Sequence, residues 1–579
     1  MKSPAARLRA PSQALQVLET DVLVAGGGVA GCLAVLGAAE AGARVAVLEK
    51  GGIIERAGSI AAGVDHFLAV LEQGPEWDTP DYLLRHIPAL TEGVTDLGVA
   101  ARLVHGLKGM VHRLERLGVD FRDPEAGGKP YHRHRAFGLP GEYHINFDGR
   151  DFKHLIGRAA RNTGARVLER VMVTDLLLDE EGRPRGAAAF HVRHGAVYLV
   201  LARAVVLATG DANRLSRNAS GVPFDSWHSP YNTGDGQAMA LRAGARLANM
   251  EFTESTVSPK GYSSQGLNAF TGGGAHLVNG RGERFMFKYH PAGERARRSD
   301  LVYGVAAEIL EGRGPVYCDC RHLPPEELGR LERTLGVDRP AMPGYFAQKG
   351  IDLAREPFEV TVTEMSSRRG GVYFRGSGVH IDPECASTLP GVFAAGDCCT
   401  MSAGIAGAAV LGLAAGESAA RYALARPRPR PLGPKDRDAL HAALFRPLTR
   451  AGGLGFREFE DEVRAIVTSC VGYRREEARM REGLARLRAL REEEEGLAAA
   501  DHHGLMRVNE ARNIRLVAEA LAVSALERRE TRGGAAHVRT DFPKPDDHEG
   551  LRLIMVEQAG GEWRVSSRPT GLPSGVLPG

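Results

Sequence analysis

"TDVLVAGGGVAGCLAVLGAAEAGARVAVLEK", residues 20–50, sets the architecture of the whole chain. Val22–Ala25 is a short, β-branched apolar run, followed by a glycine cluster, a helix-length segment at about Val29–Ala41 and a second apolar run, Ala43–Leu48. Strand, turn, helix and strand in that order make a βαβ unit, which predicts an α/β core around a parallel sheet. Gly26, Gly28 and Gly31 stand at G-x-G-x-x-G spacing between the strand and the helix. The first permits a tight turn, the second lets backbone approach a pyrophosphate, and the third lets the helix pack closely on the sheet. The helix N-terminus then offers unpaired N–H groups to phosphate. Glu49 ends the second strand, where a carboxylate accepts from ribose hydroxyls. A dinucleotide site is therefore expected here, carried by this context more than by the glycine triplet.

Glycine spacing does not separate NAD from FAD, but the next stretch bears on the choice. "EKGGIIERAGSIAAGVDH", residues 49–66, admits almost nothing large after Arg56, as expected of backbone lying against a flavin ring system. Two distant runs end the same way. "RAVVLATGDANR" (203–214) and "GVFAAGDC" (391–398) are buried-strand patterns closing on small residues. Small-residue segments at 58–63, 208–210 and 396–407 suit a long cofactor, and no second glycine fingerprint of comparable quality offers a nicotinamide site.

The chain has 579 residues, too many for one core, and a net charge of +3 with arginines scattered among acids, which gives nucleic-acid binding little support. Its seven cysteines form no C-x-x-C array, so an iron–sulfur cluster is not expected on this chain itself. No metal site is expected. "YHRHR" (131–135) reads as a basic loop, and the vicinal Cys398–Cys399 and alternating Cys318 and Cys320 read as packing. No apolar run approaches the roughly 18 residues of a membrane span, and the opening segment lacks a signal-like apolar stretch, so the expected location is cytoplasmic. The Pro/Arg segment "LARPRPRPLGP" (424–434) marks a boundary, and beyond it Met480, Leu484, Leu487 and Leu490 share one helical face. The expected division is 18–234 and 361–425 for a dinucleotide-binding domain, 235–360 for an inserted domain and 433–579 for a C-terminal helical domain.

Several segments together resemble the flavoprotein family of succinate dehydrogenase, fumarate reductase, L-aspartate oxidase and, closest by motif, the adenylylsulfate reductase α subunit. "VLEKGGIIERAGSIAAG" (47–63) is similar to the flavin-contacting loop, and "INFDGRDFKHLIGRAARNTGARVLERVMVTDLL" (145–177) to the segment leading to the adenine-contacting strand. "TGDGQAMALRAGARLANMEF" (233–252) and "LPGVFAAGDC" (389–398) match further motifs, and "RRETRGGAAHVRTDFP" (528–543) resembles the family's C-terminal signature. The resemblance implies a Rossmann-like FAD-binding domain, an inserted mixed α+β capping domain and a C-terminal helical domain. It implies cofactor contacts from Gly26, Gly28, Gly31, Glu49, Lys50, Arg56, Ser59, Ala62, Gly63, Val173, Ala208, Thr209, Gly210, Asp235, Gly396, Asp397 and Gly404. Arg56 stands where succinate dehydrogenases carry a flavin-linked histidine, so the FAD is expected to be non-covalent. Relatives with no nicotinamide fold receive electrons from a ferredoxin-like iron–sulfur subunit, which is the expected partner.

The substrate pattern departs from the family. Ser299 replaces the proton-delivering arginine, although Arg297 and Arg298 adjoin it. "EMSSRRGGVYF" has Ser366 in place of a histidine, "SAGIAGAAVLG" lacks the clamping arginine, and "AFTGGGAHLVN" keeps a threonine without its glutamate. Ser258 and Ser366 likewise replace the substrate-binding pair of adenylylsulfate reductase. Losing two arginines removes charge-assisted bonds of roughly 1.5–3 kcal/mol each, which argues against fumarate or succinate as substrate. Trp227, Tyr262, His276, Arg368 and Arg369 remain as catalytic candidates. The expected activity is reduction, or reversible oxidation, of a small polar substrate at flavin N5. The alternatives are an electron-relay subunit without its own substrate and an L-aspartate-oxidase-like oxidase.

Overall fold

The computed structural model describes residues 15–60, 64, 66–123, 127–135, 138–262, 267–338, 341–450 and 452–572. Its central sheet is assembled from segments far apart in the chain: β1 (Val22–Ala25), β2 (Val45–Glu49), β3 (Arg166–Glu169), β4 (Ala204–Leu207) and β5 (Val392–Ala394). They lie in the order β5-β4-β1-β2-β3, and every neighbouring pair is parallel. Strands of such a sheet are covered on both faces and so read as unbroken apolar runs, as Val22–Ala25 and Ala204–Leu207 do. Helix α1 (Val29–Glu40) crosses from β1 to β2, and every residue from Val29 to Ala38 is buried. A helix apolar on all sides needs cover on all sides. Helix α2 (Gly404–Leu424) supplies it, packing along α1 through its own small residues.

Three further bodies surround this sheet. Strands Gln16–Glu19, Val197–Leu201, Pro184–His191 and Val171–Leu178 form a second sheet beside it. A separate apolar core, built from residues between Val257 and Val362, fills the inserted region, whose sheet carries His276–Val278 on its edge. Helix Asp235–Arg242, which the sequence reading put at the start of that insertion, packs instead on strand Val171–Leu178 and on helix His502–Glu527. The C-terminal region carries three helices, Phe456–Cys470, Glu477–Glu494 and His502–Glu527. It then departs from the all-helical expectation. "RLIMVEQA", a β-favouring run, pairs as Arg552–Ala559 with Glu562–Pro569 in a hairpin, and the hairpin extends strand Leu247–Ala248.

Candidate functional site

One end of the site is made of backbone. Gly26 has φ of +102°, and a Cβ there would lie 2.4 Å from the carbonyl oxygen of Ala208. A Cβ at Gly31 would lie 1.9 Å from the carbonyl oxygen of Gly26, so only glycine lets α1 sit this close to the turn. No side chain caps α1 at Gly28 or α2 at Ala403, and both helix starts open on a cavity of about 1320 Å³. Uncapped N-termini leave N–H donors and a positive dipole end for phosphate or flavin oxygens. The Glu49 carboxylate braces the turn by accepting from Gly27 N at 2.7 Å and Gly51 N at 2.6 Å.

The same cavity gathers nearly all the residues that the sequence singled out. Gly26, Gly28, Glu49, Lys50, Arg56, Ser59, Val173, Ala208, Thr209, Gly210, Asp235, Gly396, Asp397 and Gly404 line it, as do Trp227, Tyr262, Arg368 and Arg369. Gly31 stands behind the turn, and Ala62 and Gly63 lie outside the described residues. Lys50 Nζ pairs with Asp235 Oδ2 at 2.7 Å and Glu510 Oε1 at 3.0 Å and donates to Thr233 Oγ1. Burial would lower its pKa, but Asp235 and Glu510 hold it above the ordinary lysine value. Lys50 and Asp235 thus tie the cavity wall to the C-terminal helix and neutralise each other's charge.

The other end is made of charged side chains. Trp227 is 5% exposed, with the Arg298 guanidinium 4.4 Å and that of Arg368 5.7 Å from the centre of its ring. Buried Glu254 is shared by Arg369 at 3.3 Å, Arg368 at 3.5 Å and Arg298 at 3.6 Å. Arg368 Nε also donates to Asp397 Oδ2 at 3.0 Å, Ser402 donates to the same carboxylate, and the Arg369 guanidinium lies 4.7 Å over Tyr373. His228 joins the chain through Asp211 Oδ2 at 3.0 Å, with Asp397 Oδ2 at 3.7 Å. Burial works against charge on Asp397, yet Arg368 and His228 hold its pKa down to about 2. Glu254 is lowered too, its burial outweighed by Arg369, Arg368 and Arg298. Burial, with the like charges of Arg369 and Arg368, brings Arg298 down to about 9 against the pull of Glu254.

His276 is the exception among the catalytic candidates. Its strand is the edge of the inserted sheet, and its ring stacks on His322 at 3.7 Å and 11°, away from the cavity lining. Glu254, Arg298, His228 and Asp211 were missed. Only their neighbours were marked in the sequence: Arg298 adjoins the position of the absent arginine, Glu254 follows the 233–252 motif, His228 follows Trp227 and Asp211 follows the 208–210 segment.

Two family models cover most of the chain, an FAD binding domain over residues 21–412 and the fumarate reductase flavoprotein C-terminal domain over 460–574. The chain belongs to the fumarate reductase/succinate dehydrogenase flavoprotein family. It is 30% identical to an L-aspartate oxidase of Streptomyces coelicolor, across 96% of this chain and 94% of that one. One subunit of the fumarate reductase (CoM/CoB) of Methanothermobacter marburgensis is 28% identical, across 94% of this chain and 98% of that one. Among solved structures, adenylylsulfate reductase from Archaeoglobus fulgidus superposes with a TM-score of 0.82 at 25% identity, covering 96% of each chain.

Like these relatives the chain is an FAD-dependent oxidoreductase, and the residues present fit that cofactor. The Cβ-excluding turn and the two uncapped helix starts would hold it by offering N–H donors to its phosphates and ring carbonyls. The segment that resembles the family's C-terminal signature forms a buried ion-pair network. Arg528 bonds Glu251 at 2.6 Å and Glu530 at 2.7 Å, Arg532 bonds Glu530, and Arg475 meets His537 at 2.7 Å, all of them buried and none lining the cavity. Among the described residues no helix is long and apolar enough to cross a membrane, and no group of His, Cys, Asp and Glu could hold a metal.

Proposed function

We propose that this chain is the catalytic flavoprotein of a reductase or reversible dehydrogenase acting on a small polar substrate, with electrons exchanged through a ferredoxin-like iron–sulfur partner. The observation that carries the reading is the continuity of one cavity from the glycine turn at Gly26 to the arginines at Arg368 and Arg369. A cofactor laid along it ends beside groups able to hold an anion. FAD supplies transfer of an electron pair at its N5 position. The chain's own residues do the rest. Arg368 and Arg369 anchor the substrate, Trp227 and Tyr262 form the wall it rests on, and Arg298 stands behind that wall, paired with Glu254 and packed on Trp227. The partner is supported by relatives whose own names make them subunits of larger reductases and dehydrogenases.

The test is spectroscopic. Chain loaded with FAD should be bleached by a reduced low-potential iron–sulfur donor and should react poorly with NADH; rapid bleaching by NADH alone would contradict the electron route. The likeness to L-aspartate oxidase favours a second reading, an oxidase. Peroxide formed in air from an amino acid would establish it.

A further inference from the structure

We propose that the substrate of this site is a singly charged anion, and that Glu254 sets that limit. The inference deepens the proposed function and rests on it. The cavity-facing charges at the substrate end are Arg368, Arg369, Asp397 and His228, and the groups bonded directly behind them are Glu254, Arg298 and Asp211. Three guanidiniums against the carboxylates of Glu254 and Asp397 leave one net positive charge. The Asp211–His228 pair adds nothing to it when the imidazole is protonated and subtracts one charge when it is neutral. These groups together therefore never offer more than a single unbalanced cation, although they include three arginines.

A monocarboxylate or other monoanion completes this balance. A dianion brings one uncompensated charge into a wall where Glu254 is 4% and Arg369 3% exposed, a placement that a protein tolerates only with a partner. The substrate class is thus a small monoanion.

Butanoate and succinate have the same carbon count and differ by one carboxylate, so titrating the FAD-loaded full chain with each, followed through the flavin absorption, isolates charge. Butanoate is expected to saturate the spectral change at about tenfold lower concentration than succinate. Glu254→Gln adds one positive charge to the wall and should shift the ratio toward succinate by about tenfold, whereas Glu254→Asp should leave it unchanged. Should Glu254→Gln fail to fold, Arg298→Gln removes the net charge and should abolish the butanoate response. Succinate binding as tightly as butanoate, a ratio that Glu254→Gln does not move, or no response to either anion overturns the proposal. A chain that takes up no FAD overturns the cofactor reading beneath it instead, and is seen before any anion is added.

Discussion

The two ends of the cavity are built from different materials. At the phosphate end the contacts are main-chain: the Gly26–Gly31 turn, the starts of α1 and α2, and a carboxylate that braces backbone N–H groups. At the substrate end they are long charged side chains that hold one another, Arg298, Arg368 and Arg369 around Glu254. Backbone can recognise only what every member of a family shares, here the cofactor. Side chains can be exchanged one at a time, and this is where the sequence motifs lead us to expect a departure from fumarate reductases.

The difference can be broken at the phosphate end first. Gly31→Leu drives side-chain atoms into the carbonyl oxygen of Gly26, and the purified protein should be colourless or insoluble; a yellow Gly31→Leu chain would show that the close approach is dispensable. Next in size is Arg528→Ala, which leaves Glu251 and Glu530 buried without their shared cation. It should cost about 3–5 kcal/mol in denaturant unfolding, while the folded fraction keeps its flavin because none of these groups lines the cavity.

A pH series sharpens the contrast at the substrate end. Asp397 has an ordinary pKa of 3.8 and is held at about 2, so its ion pair with Arg368 contributes in full above about pH 4 and is lost as pH falls toward 2. The stability gap between the native chain and Asp397→Asn should accordingly be constant near neutrality and close over that acid window. A gap that stays constant down to pH 2 would show that the pair contributes nothing. The smallest effect is expected from His276→Asn, at the edge of the inserted sheet. It should change stability by less than about 0.5 kcal/mol and leave flavin content and turnover intact.

What could be read from the sequence follows the same division. The βαβ unit was legible because turn glycines, strand runs and helix length are local properties, and Gly26 and Gly31 make the tight turn and the close helix packing that their spacing implies. The strands at 204–207 and 392–394 were legible as apolar runs closing on small residues. Glu254 and Arg298 were not, since nothing local says that one carboxylate will be shared by guanidiniums from separate stretches of the chain. His276 misled for the same reason: its intrinsic chemistry suits proton transfer, but strand pairing put it on a sheet edge. The C-terminal hairpin was overlooked because a strongly helical run, ending at Glu527, coloured the reading of the short β-favouring segment after it.

That hairpin has a consequence for how the enzyme is made. Strand Leu247–Ala248, which continues the motif carrying Asp235, pairs with Gly378–Val379 on one side and Arg552–Ala559 on the other, and the Glu251 carboxylate accepts from Ser524 and pairs with Arg528. A nascent polypeptide emerging from the ribosome therefore cannot complete the sheet behind its coenzyme pocket until the segment from Arg528 to Ala559 is free. Loading with the yellow coenzyme should then be a late, post-release event, and translation stopped short of Arg528 should give product that never takes on colour.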